Sequence, residues 1–277
     1  MIVFYTLLIF TVLSPVSKAD DPVCDFTQRL IEDCSAIVTD ELNLPFSVTL
    51  VNVRLELACS GGNPCINFGD GAIISIFNTT IDCSEGTGGI SFSGPLHVDS
   101  SRIVGCKTAI KSDSFSLLEI SNTIFENNTK SAMDINHGEL ANINDCKFEN
   151  NGNRNDYGDY GGGLRASSVE TVDIRNTEFN ENEGGALHLI SNGRHVTIQN
   201  CKFQNNKVSD HGCILYNDMY YNYLITILNT TSTDDCATEN DVYCANGATL
   251  MMDIYSVTHI PHINSNSKCH IEIILPE

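Results

Sequence analysis

The sequence predicts an all-β protein that folds as a solenoid, a parallel β-helix of about 8 to 9 coils. Three observations predict it. A pattern, Φ-x-Ile-x-(Asn/Asp)-(Thr/Cys)-x-Phe-x-x-Asn, occupies residues 118–128, 141–151, 172–182 and 196–206. Its phenylalanines follow one another at steps of 23, 31 and 24 residues. A glycine-led apolar step, clearest at 161–164 and 184–187, separates the copies. Self-similarity at a nearly fixed period is the signature of a repeat architecture.

Each copy has the properties of a short strand and a turn. Apolar residues alternate with polar ones, which is the period of a strand with one buried face. The Asn or Asp that follows tolerates the left-handed backbone of a tight turn. The next Thr or Cys is small enough to point inward, and the Phe lies on another short inward-facing piece. One coil cannot bury its own apolar face, so the coils must stack, about 4.8 Å apart.

The repeat extends in both directions from the four clear copies. Ile81 and Ile103 take the Phe position upstream, at steps of 22 residues, and Ser232 takes it downstream. Weaker apolar steps occur at 131–133 and 211–214. We therefore expect the solenoid to span residues 48–260. Leucine-rich repeats have similar lengths, but their consensus and their helical segment are missing.

The flanking segments predict a secretory signal and two caps. The apolar run Ile2–Leu13, followed by Pro15 and a small-residue cleavage site ending at Ala19, has the form of a signal peptide over residues 1–19. Residues 20–47 are expected to cap the solenoid, with helical spacing over Asp25–Asp33, and residues 261–277 to form a C-terminal cap or tail. No later stretch is long enough to span a bilayer, so we expect a soluble, extracellular protein.

The 12 cysteines all follow the expected cleavage point. An even number in an oxidising compartment predicts disulfides. The expected pairs are Cys24–Cys34, Cys59–Cys65, Cys83–Cys106 and Cys236–Cys244. Cys146 and Cys201 occupy the inward Thr/Cys position, and we interpret them as small core residues in preference to a bridge. No close Cys-x-x-Cys pair exists, so no metal site is expected.

The combination of Phe-x-x-Asn with Gly-Gly-Ala-(Leu/Ile) resembles the repeat pair of the chlamydial polymorphic outer-membrane proteins. More broadly, residues 48–260 resemble the right-handed β-helix, pectin-lyase-like proteins. The resemblance implies a right-handed solenoid. It leaves the activity open, because this fold carries both adhesins and polysaccharide-cleaving enzymes.

Three asparagines lie in Asn-x-Ser/Thr sequons: Asn78, Asn127 and Asn229. Asn78 and Asn229 occupy the strand-end position of the repeat, where we favour a ladder of stacked side-chain amides over glycosylation. For Asn127, glycosylation is the better interpretation. The net charge of −20, with only 15 Lys and Arg, argues against nucleic acid and anionic membrane surfaces as partners.

Two stretches depart from the repeat and are candidate binding sites. The 31-residue step contains an insertion at 152–161 with Tyr157 and Tyr160, and a second run carries Tyr216, Tyr220 and Tyr221. Aromatic faces near Asp and Asn suit sugar stacking and hydroxyl recognition. We expect them to bind an extracellular carbohydrate or a cell-surface protein. The alternative is a solvated loop and an outward-facing strand edge.

Polysaccharide cleavage is the competing hypothesis. Polygalacturonase-like β-helices use Asn-Thr-Asp, Asp-Asp, Gly-His-Gly and Arg-x-Lys in that order, and only His211-Gly212 matches a fragment. Asp156 and Asp159 could hold calcium beside an Arg for elimination, but no motif supports this. We therefore predict a non-catalytic binding or adhesion module without a cofactor, apart from calcium bound loosely by acidic loops. A structural wall or matrix protein is the second alternative.

Overall fold

The computed structural model describes residues 22–60, 64–83, 87–152, 162–190, 195–207, 214–218, 224–233, 242–244, 248–260, 263 and 270–275. For residues 215–218 and 243–244 it describes the backbone.

The described residues form short strands and one short helix. The first strands in the chain are β1 (Leu30–Glu32), β2 (Ser35–Val38), β3 (Leu42–Leu44), β4 (Val48–Val51), β5 (Arg54–Leu57), β6 (Pro64–Phe68), β7 (Ile74–Phe77), β8 (Thr80–Cys83), β9 (Gly88–Phe92), β10 (Leu96–Asp99), β11 (Arg102–Val104), β12 (Thr108–Ser112), β13 (Phe115–Ser121), β14 (Ile124–Glu126) and β15 (Ser131–Asn136). The remaining elements are β16 (Gly138–Asn144), β17 (Lys147–Glu149), β18 (Leu164–Ser167), β19 (Thr171–Arg175), β20 (Glu178–Asn180), β21 (Leu187–Ile190), β22 (His195–Gln199), β23 (Lys202–Gln204), β24 (Leu215–Asp218), β25 (Leu224–Leu228), β26 (Thr231–Ser232), β27 (Val242–Cys244), β28 (Thr249–Asp253), α1 (Ile254–His259) and β29 (His270–Ile274).

The strands make three parallel sheets that the chain visits in turn. Sheet I has 11 strands, in the order β1-β4-β7-β10-β13-β16-β19-β22-β25-β28-β29. Sheet II has 9, in the order β2-β5-β8-β11-β14-β17-β20-β23-β26, and sheet III has 9, in the order β3-β6-β9-β12-β15-β18-β21-β24-β27. Because each coil adds one strand to each sheet, the protein is an all-β parallel solenoid of about 8 turns, as the sequence predicts.

The inward residues of successive coils stack on like residues. In sheet I, Ile120, Ile143, Ile174 and Ile198 are aligned by strand pairing and buried. In sheet II the phenylalanines of the repeat are fully buried, and their rings stack. The centroid distances are 4.9 Å for Phe125–Phe148, 4.7 Å for Phe148–Phe179 and 5.1 Å for Phe179–Phe203. This column is the centre of the core.

Every turn from sheet I to sheet II contains a left-handed residue. Those residues are Asp33, Asn52, Asn78, Ser100, Asn122, Asp145, Asn176, Asn200 and Asn229. Several of them form an exposed amide ladder: Asn78 Nδ2 donates to Asn52 Oδ1 at 2.6 Å, and Asn229 Nδ2 donates to Asn200 Oδ1 at 2.8 Å. The ladder expected for Asn78 and Asn229 is confirmed. It places both sequons at the same corner of the solenoid.

A second asparagine ladder lies inside the solenoid. It consists of Asn128, Asn151, Asn182 and Asn206, the last residue of each Phe-x-x-Asn motif, and all four are buried. Each Nδ2 donates to Oδ1 of the next coil, at 2.7, 2.9 and 2.9 Å. The same Oδ1 atoms accept the backbone N–H of the preceding ladder residue, at 3.2, 3.1 and 3.1 Å. Buried turn amides are thereby satisfied without water.

The inward Thr/Cys position forms a third column. Thr177 Oγ1 donates to the Arg175 carbonyl at 2.7 Å and accepts from the Cys146 backbone N–H at 3.3 Å. Cys146 and Cys201 take the same position, and both are buried free thiols, as expected. Burial raises the pKa of Cys146 and of Cys201 to about 12. The thiols therefore act as small core residues.

These thiols are expected to resist alkylation in the folded protein. With a pKa of about 12, roughly one thiol in 10,000 is ionised at pH 8, and the thiolate is the reacting species. Mass spectrometry after iodoacetamide treatment should find Cys146 and Cys201 unmodified in native protein and modified in denaturant. If either residue in the native protein were labelled as fast as a solvent-exposed cysteine, the result would contradict their burial.

Three disulfides agree with the pairs expected from the sequence. They are Cys24–Cys34, Cys59–Cys65 and Cys83–Cys106. The third joins Cys83 in β8 to Cys106 in the turn after β11, on the adjacent coil. The Cα atoms of these two cysteines lie 4.8 Å apart. The expected Cys236–Cys244 pair lies outside the described residues, apart from the backbone of Cys244.

The structure differs from the sequence prediction at two places. Residues 22–47 contain no helix: Leu30–Glu32 pairs with β4, and the helical spacing of Phe26, Leu30 and Ile31 reflects a turn followed by a strand. The apolar step at 211–214 is misaligned by one residue, because Leu187 pairs with Leu215 and not with Ile214. Ile214 is instead aligned with Ala186, and it is buried.

The last coil replaces its sheet II strand with α1. Asp253 is the N-cap and accepts from the Ser256 N–H at 2.8 Å, which is the usual way to satisfy a helix start. Ser256 Oγ accepts from the Thr230 N–H at 3.0 Å and so occupies the inward Thr/Cys position. Among the described residues, sheet II therefore ends at β26, sheet I continues to β29, and Ile263 bridges Val242 of sheet III.

Candidate functional site

Sheet III carries a row of chemically reactive residue types. Strand pairing aligns one residue from each coil at the same register position, and we call this row the sheet III column. Its members from β12 to β27 are Lys111, Asp134, Arg165, His188, Tyr216 and Tyr243. Neighbouring members lie about one strand spacing apart, about 4.8 Å. Five consecutive coils thus place Asp, Arg, His, Tyr and Tyr at one register position.

Asp134 and Arg165 form the charged part of the column. Arg165 Nη1 lies 2.7 Å from Asp134 Oδ1, and the two side chains are 32% and 20% exposed. Lys111 precedes Asp134 in the register. The ion pair holds the guanidinium at the face, where its remaining N–H donors are available to an oxygen-rich ligand.

His188 is buried, whereas Lys111, Asp134 and Arg165 of the same column are partly exposed. Its register places it beside Arg165, between the inward-facing Leu187 and Leu189, yet it is only 4% exposed. An outward strand residue is normally solvated, so a buried imidazole at this place means that the sheet III face is covered locally at His188.

Tyr216 and Tyr243 extend the column at its C-terminal side. β24 pairs Tyr216 with His188, and β27 pairs Tyr243 with Tyr216. Two aromatic residues on adjacent coils, next to a His and an Arg, give a row whose residue types stack on and hydrogen-bond to sugars. Of the tyrosines expected from the sequence, Tyr216 alone falls within the described backbone.

Most sequence-predicted candidates lie outside the described residues: Asp156, Tyr157, Asp159, Tyr160, His211, Tyr220 and Tyr221. In the chain, residues 153–161 connect β17 to β18, and residues 219–223 connect β24 to β25. Both segments therefore adjoin strands that carry the sheet III column. The two glycines that flank the insertion, Gly152 and Gly162, leave no room for a side chain: a Cβ atom would lie 1.9 and 2.1 Å from the Glu183 carbonyl oxygen.

Asp134, His188 and Tyr243 were not among the site residues predicted from the sequence. A usable signal exists, because each column member directly follows the inward apolar residue of its coil: Met133-Asp134, Leu164-Arg165, Leu187-His188, Leu215-Tyr216 and Val242-Tyr243. Correct alignment of the glycine-led steps would have revealed it. The misaligned step at 211–214 hid the pairing of Tyr216 with His188.

Sheet II presents a charge-paired face. Arg102 pairs with Glu126 at 2.8 Å and Lys147 with Glu149 at 2.7 Å. The hydrogen bond from Lys147 lowers the pKa of Glu149. Such exposed pairs are worth little in stability.

Charged side chains on the outward face of sheet I are also ion-paired or hydrogen-bonded to near neighbours. Arg175 Nε lies 2.8 Å from Asp173 Oδ1. Hydrogen bonds from Ser121, Asn122 and Ser100 lower the pKa of Asp99, the Ser121 bond most strongly. A lowered pKa in the folded state means that this stabilisation is present above the unfolded pKa and is lost as the pH falls through the folded value.

An open groove of about 200 Å³ lies at the turn from sheet II to sheet III, lined by Asn127, Asn128, Thr129, Asn150 and Gly152. Asn127 is exposed and left-handed, with φ of 56°. Its Nδ2 donates to Glu126 Oε1 at 2.9 Å. The sequon is thus accessible, while its middle residue Asn128 belongs to the buried ladder.

Within the described ranges, no group of three or more His, Cys, Asp or Glu side chains is arranged to hold a metal ion. None of the described helices is long and apolar enough to cross a membrane. The chain shows no significant match to the family models, the curated proteins or the solved structures with which it was compared.

Proposed function

We propose that this protein is a secreted, non-catalytic binding module that recognises a carbohydrate or a cell-surface protein through the outward face of sheet III. The observation that carries the proposal is the register of Asp134, Arg165, His188, Tyr216 and Tyr243 on five consecutive coils. A rigid parallel sheet holds these residues in one line, as an extended ligand requires.

The residue types fit recognition of a polar, extended ligand. An arginine held by Asp134 directs its donors toward hydroxyl or carboxylate oxygens. Tyrosine is a residue type that stacks on sugars, and the column carries two of them, Tyr216 and Tyr243. The neighbouring insertion, with Tyr157 and Tyr160, would enlarge the surface, since loops on a rigid scaffold commonly carry binding residues.

Polysaccharide cleavage is the second candidate, and the adjacency of Arg165 and His188 is what favours it. Glycoside hydrolysis needs two carboxyl groups about 5–9 Å apart across the bond. The described part of the column contains one, Asp134, and that carboxylate is engaged by Arg165. Binding therefore accounts for the face with fewer additional assumptions than catalysis does.

Secretion and glycosylation belong to the same proposal. Three disulfides suit an oxidising compartment, and the residues 1–19 have signal-peptide form. Glycosylation fits Asn127, because its side chain is exposed and it lies outside the amide ladder that contains Asn78 and Asn229. As part of the same proposal, the solenoid is right-handed and related to the pectin-lyase-like proteins, and its repeats are of the adhesin type.

A screen of purified secreted protein against panels of polysaccharides and cell-surface proteins tests the proposal. Binding and the release of reducing or unsaturated ends are measured together, with and without calcium. We expect binding without turnover. Turnover that is lost in Asp134→Asn would establish an enzyme instead, and the absence of binding to either panel would favour a structural role.

A further inference from the structure

The C-terminal end of the solenoid concentrates exposed apolar side chains. They are Ile254, Tyr255, Ile271, Ile273 and Leu275, with exposures of 46%, 44%, 41%, 53% and 69%. Monomeric proteins rarely leave contiguous apolar surface of this kind on view. The other exposed large apolar residues of the described chain are spread over the rest of the molecule.

The exposure follows from the pairing of β29. Ile271 and Ile273 stack on Leu250 and Met252, which are fully buried inward residues of the preceding coil. Ile271 and Ile273 therefore face the core at the end of the solenoid. No further described coil covers them. The outer edge of β29 also carries backbone N–H and C=O groups that a strand from another chain can pair.

At the opposite end of the solenoid, the inward residues Cys24, Ile31 and Cys34 are buried. Residues 22–24 already pair with the edge of β2, since Ser35 N–H donates to the Pro22 carbonyl at 2.9 Å and Cys24 N–H donates to the Ser35 carbonyl at 3.3 Å. Cys24 and Cys34 are bridged and buried there. A head-to-tail contact would bring β29 against β1, a three-residue strand whose inward residue Ile31 is only 3% exposed. The described part of the opposite end therefore offers no exposed inward side chain of sheet I to match Ile271 and Ile273.

We propose that the protein forms a two-fold dimer in which β29 pairs antiparallel with β29 of a second copy. A register centred on Ile273 places Ile273 against itself and Ile271 against Leu275 of the other copy. All three lie on one face of the strand, because they alternate. In this register Glu272 faces Ile274 of the other copy, so like charges do not meet.

This end of the solenoid carries few negative charges, so it can self-associate even though the whole chain has a net charge of −20. The described residues 248–260 and 270–275 contain two carboxylates, Asp253 and Glu272. Asp253 caps α1 and accepts from the Asn229 N–H at 2.8 Å, and Glu272 lies 3.2 Å from His270. A two-fold contact of identical patches closes on itself and gives a dimer without further growth.

Sedimentation velocity of the secreted full chain, from about 1 to 100 μM, tests the inference. We expect a dimer that Ile273→Asp converts to monomer, weakening association at least about 100-fold, because a carboxylate would be buried at the two-fold axis. Ile73→Asp is the matched control, since Ile73 is equally exposed at 53% but lies on the outward face before β7. It should leave the dimer intact, and circular dichroism should show both variants folded.

A monomer at every concentration would overturn the inference. So would a dimer that survives Ile273→Asp, or one that Ile73→Asp dissociates equally. Open-ended assembly into larger species would point to a heterologous contact and would equally exclude the two-fold arrangement. Polysaccharide binding is not needed for any of these readouts, so the inference stands or falls independently of the proposed function.

Discussion

Replacing Phe148 by alanine is expected to lower the free energy of unfolding by about 3–5 kcal/mol. The ring is fully buried and stacks on both neighbours, with centroids 4.9 Å from Phe125 and 4.7 Å from Phe179. The rings above and below are held by their own coils, so the gap cannot collapse easily and a cavity remains. Denaturant unfolding with the disulfides intact measures the loss.

Phe77→Ala provides the matched control. Phe77 is on the outward face of β7 and is 38% exposed, so its removal should cost about 1 kcal/mol or less. Because solenoids can unfold in segments, the comparison should use a probe in the central coils. Equal losses for the two variants would mean that the phenylalanine column does not hold the core.

Replacing Asn151 by leucine is expected to destabilise the protein by about 3–5 kcal/mol, although leucine has nearly the same volume. Asn151 Oδ1 accepts from the backbone N–H and from Nδ2 of Asn128, and its Nδ2 donates to Asn182 Oδ1 and to the Phe125 carbonyl. Each buried donor left unsatisfied costs about 1–3 kcal/mol. Asn128 Nδ2 would keep only its long contact of 3.5 Å with the Ile103 carbonyl.

Asn142→Leu is the control for this substitution, since Asn142 lies on the outward face of β16 and is partly solvated. Its free energy of unfolding should change by about 0.5 kcal/mol or less. Thermal unfolding of the two variants side by side gives the contrast. An Asn151→Leu variant as stable as the wild type would show that water or a rearranged turn satisfies the ladder.

The repeat pattern was sufficient to predict the architecture. The alternation around Ile143 and Ile174, the inward Cys146 and the phenylalanine column all follow from one rule, that a short coil must stack on its like. The outer asparagine ladder was also predictable, because Asn at a strand end tolerates the left-handed turn. The inner ladder was not anticipated, although Asn151 stands in the motif, since sequence alone does not say which way its side chain points.

The N-terminal cap and the candidate site were harder to predict. Leu30 and Ile31 fit a helix by spacing, but pairing of β1 with β4 outweighs local preference, as tertiary contacts commonly do. The sheet III column depends on the register between coils of unequal length. A slip of one residue near Leu215 moves every following side chain to the other face, which is why His188 and Tyr216 were not brought together from the sequence.

The most direct test of the central claim is the equilibrium binding of a ligand from the screen to three proteins: wild type, Arg165→Gln and Arg175→Gln. Both arginines are ion-paired and partly exposed, but Arg165 lies in the sheet III column and Arg175 on sheet I. If sheet III is the binding face, Arg165→Gln should weaken binding at least about tenfold, equal to about 1.4 kcal/mol, and Arg175→Gln should leave it unchanged. Equal affinities for all three proteins, or a loss confined to Arg175→Gln, would contradict that assignment.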